Sequence, residues 1–237
     1  MTGVGVNARD EFWRRFGDVR AAPPGLGQAL AQSWLEAARA EHASIASFAK
    51  FSLELLAVGA PPELVSGAHE AALDEIEHAR ICFAIASHFA GHTLGPAELD
   101  VQSALRIAPT LGAAAESAAL EGCVLETTAA LEAKRAAERS TDPVLTLALH
   151  IIAEDEARHA ELAYRFVGWA AERGGSEVRA RILLGFDRGL RTLKEAPPSG
   201  LRDDELEPFG RLSAATRREV QTRAISEVFL PARARLA

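Results

Sequence analysis

Two segments of this chain, 69–78 (HEAALDEIEH) and 150–159 (HIIAEDEARH), align without gaps and share the pattern Asp-Glu-x-x-His. Three residues is slightly less than one helical turn, so on a helix the Glu and the His of each segment lie on the same face. Apolar residues continue both faces, for example Ile85 on the first and Phe166 on the second. The pattern therefore predicts two helices that each direct one Glu and one His into a helical core.

The duplication extends beyond the two segments. Pro62 and Pro143 each precede the Glu of their segment by 13 residues, and proline is tolerated in the first turn of a helix but not in its interior. The apolar periodicity between the Gly and Pro residues predicts four long helices and two shorter amphipathic ones. The long helices are expected at about 28–58, 62–89, 111–138 and 143–174, the shorter ones at 176–194 and 212–229, and a connection at 91–110.

This order of elements indicates an all-α fold: a four-helix bundle with a central crossover connection and extra C-terminal helices. We expect an N-terminal extension (1–27), the bundle (28–174) and a C-terminal helical extension packed on the bundle (175–237). The composition is that of an ordinary globular protein, with 48% apolar and 25% charged residues.

Charge and cysteine content exclude several classes of protein. The net charge of −7 argues against a broad nucleic-acid surface, which needs clustered cations. No uncharged apolar run reaches the roughly 18 residues of a membrane span, and the N-terminus lacks the layout of a secretory signal. Two cysteines, Cys82 and Cys123, cannot form a disulfide framework. We therefore expect a cytoplasmic protein that binds neither nucleic acid nor a membrane.

The Glu and His residues of the two segments need a compensating charge, because a bare carboxylate in a core costs several kcal/mol. Glu41 lies within the apolar stripe of the first helix, and the third helix offers an acid as well. Four carboxylates balance two divalent cations, and oxygen ligands with two imidazoles suit iron or manganese. The expected metal ligands are Glu41, Glu75, His78, Glu121, Glu156 and His159.

On the third helix the choice lies between Glu121 and Glu126. Glu41 precedes Glu75 by 34 residues, Glu121 precedes Glu156 by 35, and Glu126 precedes Glu156 by 30. The repeat therefore favours Glu121. On an α-helix the two acids lie about 140° apart, so both can flank the site, with Glu126 as an extra ligand or proton carrier.

Other residues are expected around the metal. A ligating His normally donates the N–H of its other ring nitrogen to a carboxylate. The helix pairs 28–58 with 62–89 and 111–138 with 143–174 form two hairpins, and we expect Asp74 and Asp155 each to accept this hydrogen bond from the His of the opposite hairpin. Cys82 follows His78 by about one turn and is expected to line a pocket as a small core residue rather than bind metal. The expected pocket residues are Phe48, Cys82, Leu125 and Phe166.

At these residues the sequence resembles the ferritin-like superfamily of di-iron carboxylate proteins, over roughly 28–172. Two Glu-x-x-His pairs are more similar to rubrerythrins, bacterioferritin and the di-iron oxygenases than to ordinary ferritins. The chain has no CxxC pair for a rubredoxin-like iron site. Cys82 stands where radical-type ribonucleotide reductase subunits carry a tyrosine, and Ile152 where the N-oxygenating members carry another metal His.

The resemblance implies two iron ions, with manganese as the alternative, and an oxidoreductase of the monooxygenase or hydroxylase type. Its expected partners are O₂, a small apolar organic substrate and an electron-donor reductase. Two other functions stay open: a ferroxidase or peroxide-scavenging protein that handles iron itself, and a helical bundle without catalytic activity. The C-terminal helices are expected either to cover the mouth of the site or to form the face of a homodimer.

Overall fold

The computed structural model describes residues 15–102, 104–107, 110–195 and 203–236. These residues form helices and connecting segments, with no strand among them. Helix α1 spans Gly27–Ala57 and helix α2 spans Pro62–Ala90, each within one residue of its predicted ends. Helix α2 begins with Pro62 in its first turn and ends before Gly91, whose φ of 73° suits a glycine at a helix C-terminus.

The third long helix is continuous but changes geometry in its middle. It consists of α3 (Leu111–Ala118), a π-helical segment (Ala119–Glu126) and α4 (Thr127–Arg139). The predicted range of this helix is confirmed, but the sequence gives no sign of the π-helix. Such segments are rare and occur often at functional sites.

The fourth long helix, α5 (Pro143–Glu195), has one interruption at Gly175, with φ 63° and ψ −148°. The predicted break at Gly174-Gly175 is therefore present. Asp142 caps the start of the helix, since its Oδ1 accepts hydrogen bonds from the backbone N–H groups of Val144 and Leu145 at 2.9 and 3.1 Å.

The C-terminal residues lie against several of the long helices: 206–212 against α1 and α5, and 214–224 against α4. A 3₁₀-helix (Asp203–Phe209) is followed by α6 (Ala214–Ala224), a second π-helical segment (Ile225–Phe229) and α7 (Leu230–Ala234). The indole N–H of Trp34 donates to the carbonyl of Phe209 at 3.2 Å. At Gly210, φ is 77° and a Cβ would lie 2.7 Å from Leu149, so only glycine lets the chain approach this closely.

Two apolar clusters fill the interior, and a polar layer separates them along each long helix. One cluster contains Trp34 of α1 and Ile85 of α2, and the other contains Leu64 of α2 and Phe166 of α5. Between them, α2 and α5 carry buried Glu and His residues. Helix α1 packs along α2, the third helix packs along α5, and α2 also contacts α5. In the ranges described, no helix is long and apolar enough to cross a membrane.

Candidate metal centre

The polar layer contains two groups of side chains that could hold a metal ion. Within each group, one donor atom from every member lies within 4.8 Å of the others. We call the groups site 1 and site 2. Site 1 consists of Glu41, Glu75, His78 and Glu156, and site 2 consists of Glu75, Glu126, Glu156 and His159. Four helical runs meet here, so the site depends on the packing of the whole helical core.

Site 1 is arranged around Nδ1 of His78. This atom lies 3.7 Å from Oε2 of Glu41, 3.7 Å from Oε2 of Glu75 and 3.4 Å from Oε1 of Glu156. Two donors that each bind one ion at about 2.1 Å lie about 3.0–3.5 Å apart at ordinary coordination angles. The observed separations are close to those that a shared ion requires.

Site 2 repeats this arrangement around Nδ1 of His159. The atom lies 3.2 Å from Oε1 of Glu75, 3.7 Å from Oε2 of Glu126 and 3.9 Å from Oε2 of Glu156. Glu75 and Glu156 therefore turn one carboxylate oxygen towards each histidine. Both carboxylates are placed to bridge the two sites.

Several donor atoms of the two sites have no hydrogen-bond partner in the described part of the chain. They include Nδ1 of His78, Nδ1 of His159 and Oε2 of Glu75, all of them buried. Buried polar atoms are nearly always satisfied in native proteins. Because these three atoms face the two sites, a cation there would satisfy all of them.

The other nitrogen of each histidine faces a carboxylate of the opposite hairpin. Nε2 of His78 lies 3.0 Å from Oδ2 of Asp155, and Nε2 of His159 lies 3.2 Å from Oδ2 of Asp74. These are the pairings that the sequence predicts. A proton held on Nε2 by the carboxylate leaves the Nδ1 lone pair free for a metal.

Arg158 joins the two aspartates, a role that the sequence reasoning missed. Its guanidinium lies 2.6 Å from Oδ1 of Asp155 and 3.1 Å from Oδ2 of Asp74. The available signal was the unequal residue before each metal-site histidine, because the first segment has Glu77 where the second has Arg158. Glu77 instead pairs with Arg15 and Arg80.

Burial and neighbouring histidines act in opposite directions on the carboxyl groups. Burial raises the pKa of Glu41, and it raises the pKa of Glu156 well above its usual range. Burial acts in the same direction on Glu75, but the nearby imidazoles of His159 and His78 outweigh it and lower the pKa of Glu75 to about 2.

The carboxylates in turn hold protons on the histidines. Burial alone would lower the pKa of His159, but contacts with Glu126 and Glu75 raise it to about 9. For His78, burial is likewise outweighed by Asp155 and the glutamates, which raise its pKa far above the ordinary value. Protons on the two rings thus compensate part of the buried negative charge, and a bound cation would take over that role.

On the third helix the structure differs from the sequence prediction. Glu126 lies in site 2, whereas Glu121 is exposed and outside both groups. The comparison of spacings assumed a regular α-helix, but Ala119–Glu126 is π-helical. Hydrogen bonds in a π-helix span five residues, so Glu121 and Glu126 lie on nearly the same side rather than about 140° apart. Counting residues across this segment therefore favours Glu121, the acid that lies outside both groups.

Two cavities adjoin the sites. The Phe48 cavity, about 40 Å³, lies beside site 2, and the ring of Phe48 meets that of His159 edge-on with centroids 4.9 Å apart. The Trp34 cavity, about 200 Å³, lies beside Glu41 and Glu156. The lining of the Phe48 cavity includes Phe48, Phe51, Glu121, Gly122, Glu126 and His159. That of the Trp34 cavity includes Trp34, Ala40, Glu41, Cys82, Ala133, Leu149, Ile152, Glu156 and Arg211.

The four predicted pocket residues have different positions. Phe48 and Cys82 line the Phe48 and Trp34 cavities respectively. Leu125 and Phe166 line neither cavity. Phe166 is fully buried in the apolar cluster that also contains Leu64, and Leu125 packs against that cluster. Both follow the helical periodicity of core residues, which does not distinguish a packed side chain from one beside a void.

No protein-family model, curated protein or solved structure significantly matches this chain. The functional assignment therefore depends on the geometry and chemistry of the two sites.

Proposed function

We propose that this protein is a non-haem di-iron oxidoreductase with a ferritin-like four-helix bundle, which activates O₂ to hydroxylate or otherwise oxidise a small organic substrate. The observation that carries the proposal is the pair of carboxylate–histidine groups that share Glu75 and Glu156. Two such groups with common bridging acids suit two ions rather than one.

The ligand chemistry supports iron or manganese. The two sites offer four carboxylates and two imidazoles, so four negative charges balance two divalent cations. Oxygen donors with few nitrogens and no thiolate favour these hard or intermediate ions over zinc or copper(I). Cys82 does not enter either group, and burial raises the pKa of its thiol, which keeps it neutral.

Two ferrous ions, when bound, supply electrons for the reduction of O₂, and a separate reductase would restore them. The protein's own residues hold and shield that chemistry. Asp74 and Asp155 fix the protons on the histidine Nε2 atoms, and the two apolar clusters flank the layer in which Glu75, His78, Glu156 and His159 are buried. Glu126, partly exposed, lies beside exposed Glu121, so these acids can pass protons between site 2 and solvent.

Iron handling is the second candidate function. The Phe48 cavity beside site 2 carries Glu121 and Glu126 and measures only about 40 Å³, which is too small for an organic substrate but suits an ion. In this alternative Fe²⁺ itself is the substrate and is oxidised repeatedly by O₂ or peroxide. A bundle without catalytic activity would bind little or no metal.

The test begins with metal analysis of protein expressed with iron and manganese, followed by mixing of the anaerobic Fe²⁺ form with O₂. We expect two irons per chain and a single round of oxidation unless a reductant is added. Repeated oxidation of added Fe²⁺ would favour the iron-handling function, and absence of bound metal would contradict both. Glu75→Ala should remove the metal, whereas Glu70→Ala, an exposed acid of the same helix, should retain it.

A further inference from the structure

The Trp34 cavity lies between α1, α4, α5 and residues 210–212 of the C-terminal segment. Its wall includes Glu41 and Glu156 of the metal sites. An engineered protein cavity of about 150 Å³ holds a benzene molecule, so about 200 Å³ accommodates a ring of that size and a small polar group. The cavity therefore has both the volume and the position of a binding site for an organic molecule.

Most of its wall is apolar. Alanine side chains from α1 and α4 line it together with two larger aliphatic residues of α5, Leu149 and Ile152. The buried thiol of Cys82 adds no charge, because burial raises its pKa. A ligand would thus need a compact apolar body to fill the space.

One cation in the wall, Arg211, feels the charges of Glu41 and Glu132 but forms no direct ion pair with an acid of the described residues. Arg211 donates from Nε to the hydroxyl of Ser33 at 2.9 Å, and its guanidinium lies 5.0 Å from the centroid of the Trp34 ring. No carboxylate of the described residues forms an ion pair with it. The neighbouring Arg217 differs, since it lies 3.2 Å from Oε2 of Glu132.

A guanidinium without a carboxylate partner favours an anion, and its planar N–H groups match the two oxygens of a carboxylate. Other charges at this cavity are compensated. Glu132 pairs with Arg217, and Glu41 and Glu156 both face His78, whose Nδ1 lies 3.7 and 3.4 Å from their carboxylate oxygens. The stack on Trp34 and the bond to Ser33 hold Arg211 in place before any ligand arrives, which reduces the entropy lost on binding.

We propose that the Trp34 cavity binds a small, largely apolar carboxylic acid about the size of benzoate. Its carboxylate contacts Arg211, and its apolar end faces Glu41 and Glu156. The proposal deepens the proposed function by naming the substrate class, and it rests on that function for the oxidation of the bound acid. Binding to Arg211 itself does not require iron.

The test compares benzoate with benzamide, a neutral probe of the same shape, by calorimetric titration of metal-free and anaerobic Fe²⁺-loaded protein. Because hydrogen bonds to charged groups contribute about 1.5–3 kcal/mol, we expect benzoate to bind at least about tenfold more tightly than benzamide. Arg211→Gln should weaken the binding of benzoate by a similar factor and leave the affinity for benzamide unchanged. Arg211→Lys, which keeps the positive charge, should retain part of the preference for benzoate. Arg218→Gln, which removes an exposed arginine of α6 that does not line the cavity, serves as the matched control and should change benzoate affinity less than about twofold.

Location is tested by Ala133→Leu, which places a larger side chain in the cavity while retaining Arg211 and should abolish binding of both probes. Equal affinity for the two probes, no effect of Arg211→Gln in protein with unchanged circular dichroism, or full binding by Ala133→Leu would each overturn the proposal. So would benzoate binding that needs iron and ignores Arg211, since the acid would then bind the metal. Arg211-dependent binding by protein that never takes up metal would refute the di-iron function and leave this inference standing.

Discussion

The two helical hairpins carry the same Asp-Glu-x-x-His motif but place it in different surroundings. In the first hairpin, regular helix α1 brings Glu41 to site 1, beside the Trp34 cavity with its unpaired Arg211. In the second, a π-helical segment brings Glu126 to site 2, beside the small Phe48 cavity with exposed Glu121. The duplicated motif thus accounts for four of the candidate metal ligands, and Glu41, Glu126 and the residues around them differentiate the two sites. We expect site 1 to face the organic ligand and site 2 to handle protons or ions.

The largest effect on metal binding is expected for a residue that the two sites share. Glu156→Ala removes a carboxylate that faces both histidines, so we expect affinity for both ions to fall by about 100-fold or more. Anaerobic titration with Fe²⁺ or Mn²⁺ measures this. Glu154→Ala, an exposed acid on the same helix, is the control. Loss of only one ion in Glu156→Ala would show that the carboxylate does not bridge.

The histidine variants separate the sites. His78→Ala should lose the ion of site 1 and His159→Ala that of site 2, because each Nδ1 belongs to a single group. We expect about one metal per chain in each variant by elemental analysis, against two in the unaltered protein. If either variant lost both ions completely, the two sites would bind as one cooperative unit and the distinction between them would fail.

The π-helical segment is tested by exchanging its two acids. Glu126→Ala should weaken the ion of site 2 by at least about tenfold, while Glu121→Ala should leave both affinities within about twofold. Each variant is the control for the other, since they differ by five residues on one helix. Loss of metal in Glu121→Ala but not in Glu126→Ala would instead support Glu121, the acid that the spacing of the repeat favours.

The smallest effects are expected at the aspartates and the arginine that joins them. Asp155→Asn and Asp74→Asn should each reduce metal affinity about 10-fold, as replacement of a histidine's carboxylate partner usually does. Arg158 is largely exposed, and exposed ion pairs contribute about 0.2–1 kcal/mol. Arg158→Gln should therefore reduce metal affinity less than about fivefold. Metal titration checks all three. An effect of Arg158→Gln as large as that of Asp155→Asn would mean that the arginine positions both histidines.

Much of this molecule could be predicted from its sequence because the signals are local. Pro62 and Pro143 mark helix starts because proline restricts the backbone, and Gly175 marks a break because glycine accepts a positive φ. The Glu-x-x-His spacing places two candidate ligands on one face. The pairing of each Asp with the opposite histidine also followed, because a buried imidazole needs a partner for its second nitrogen.

What could not be predicted depends on geometry that residue spacing does not contain. The choice of Glu126 requires the π-helix at Ala119–Glu126, where one extra residue per turn changes the register. The bridge made by Arg158 and the cavity bounded by Arg211 depend on which side chains meet across the fold. Arg211 lies 129 residues after Cys82 in the sequence, yet both line the same cavity.

The central claim is that two ions bind side by side between the hairpins. A crystal structure of the iron-loaded protein with anomalous difference maps at the iron edge tests it most directly. We predict two iron peaks, one beside His78 and Glu41 and one beside His159 and Glu126, with Glu75 and Glu156 contacting both. A single peak, no peak, or an iron held by Glu121 instead of Glu126 would contradict this account.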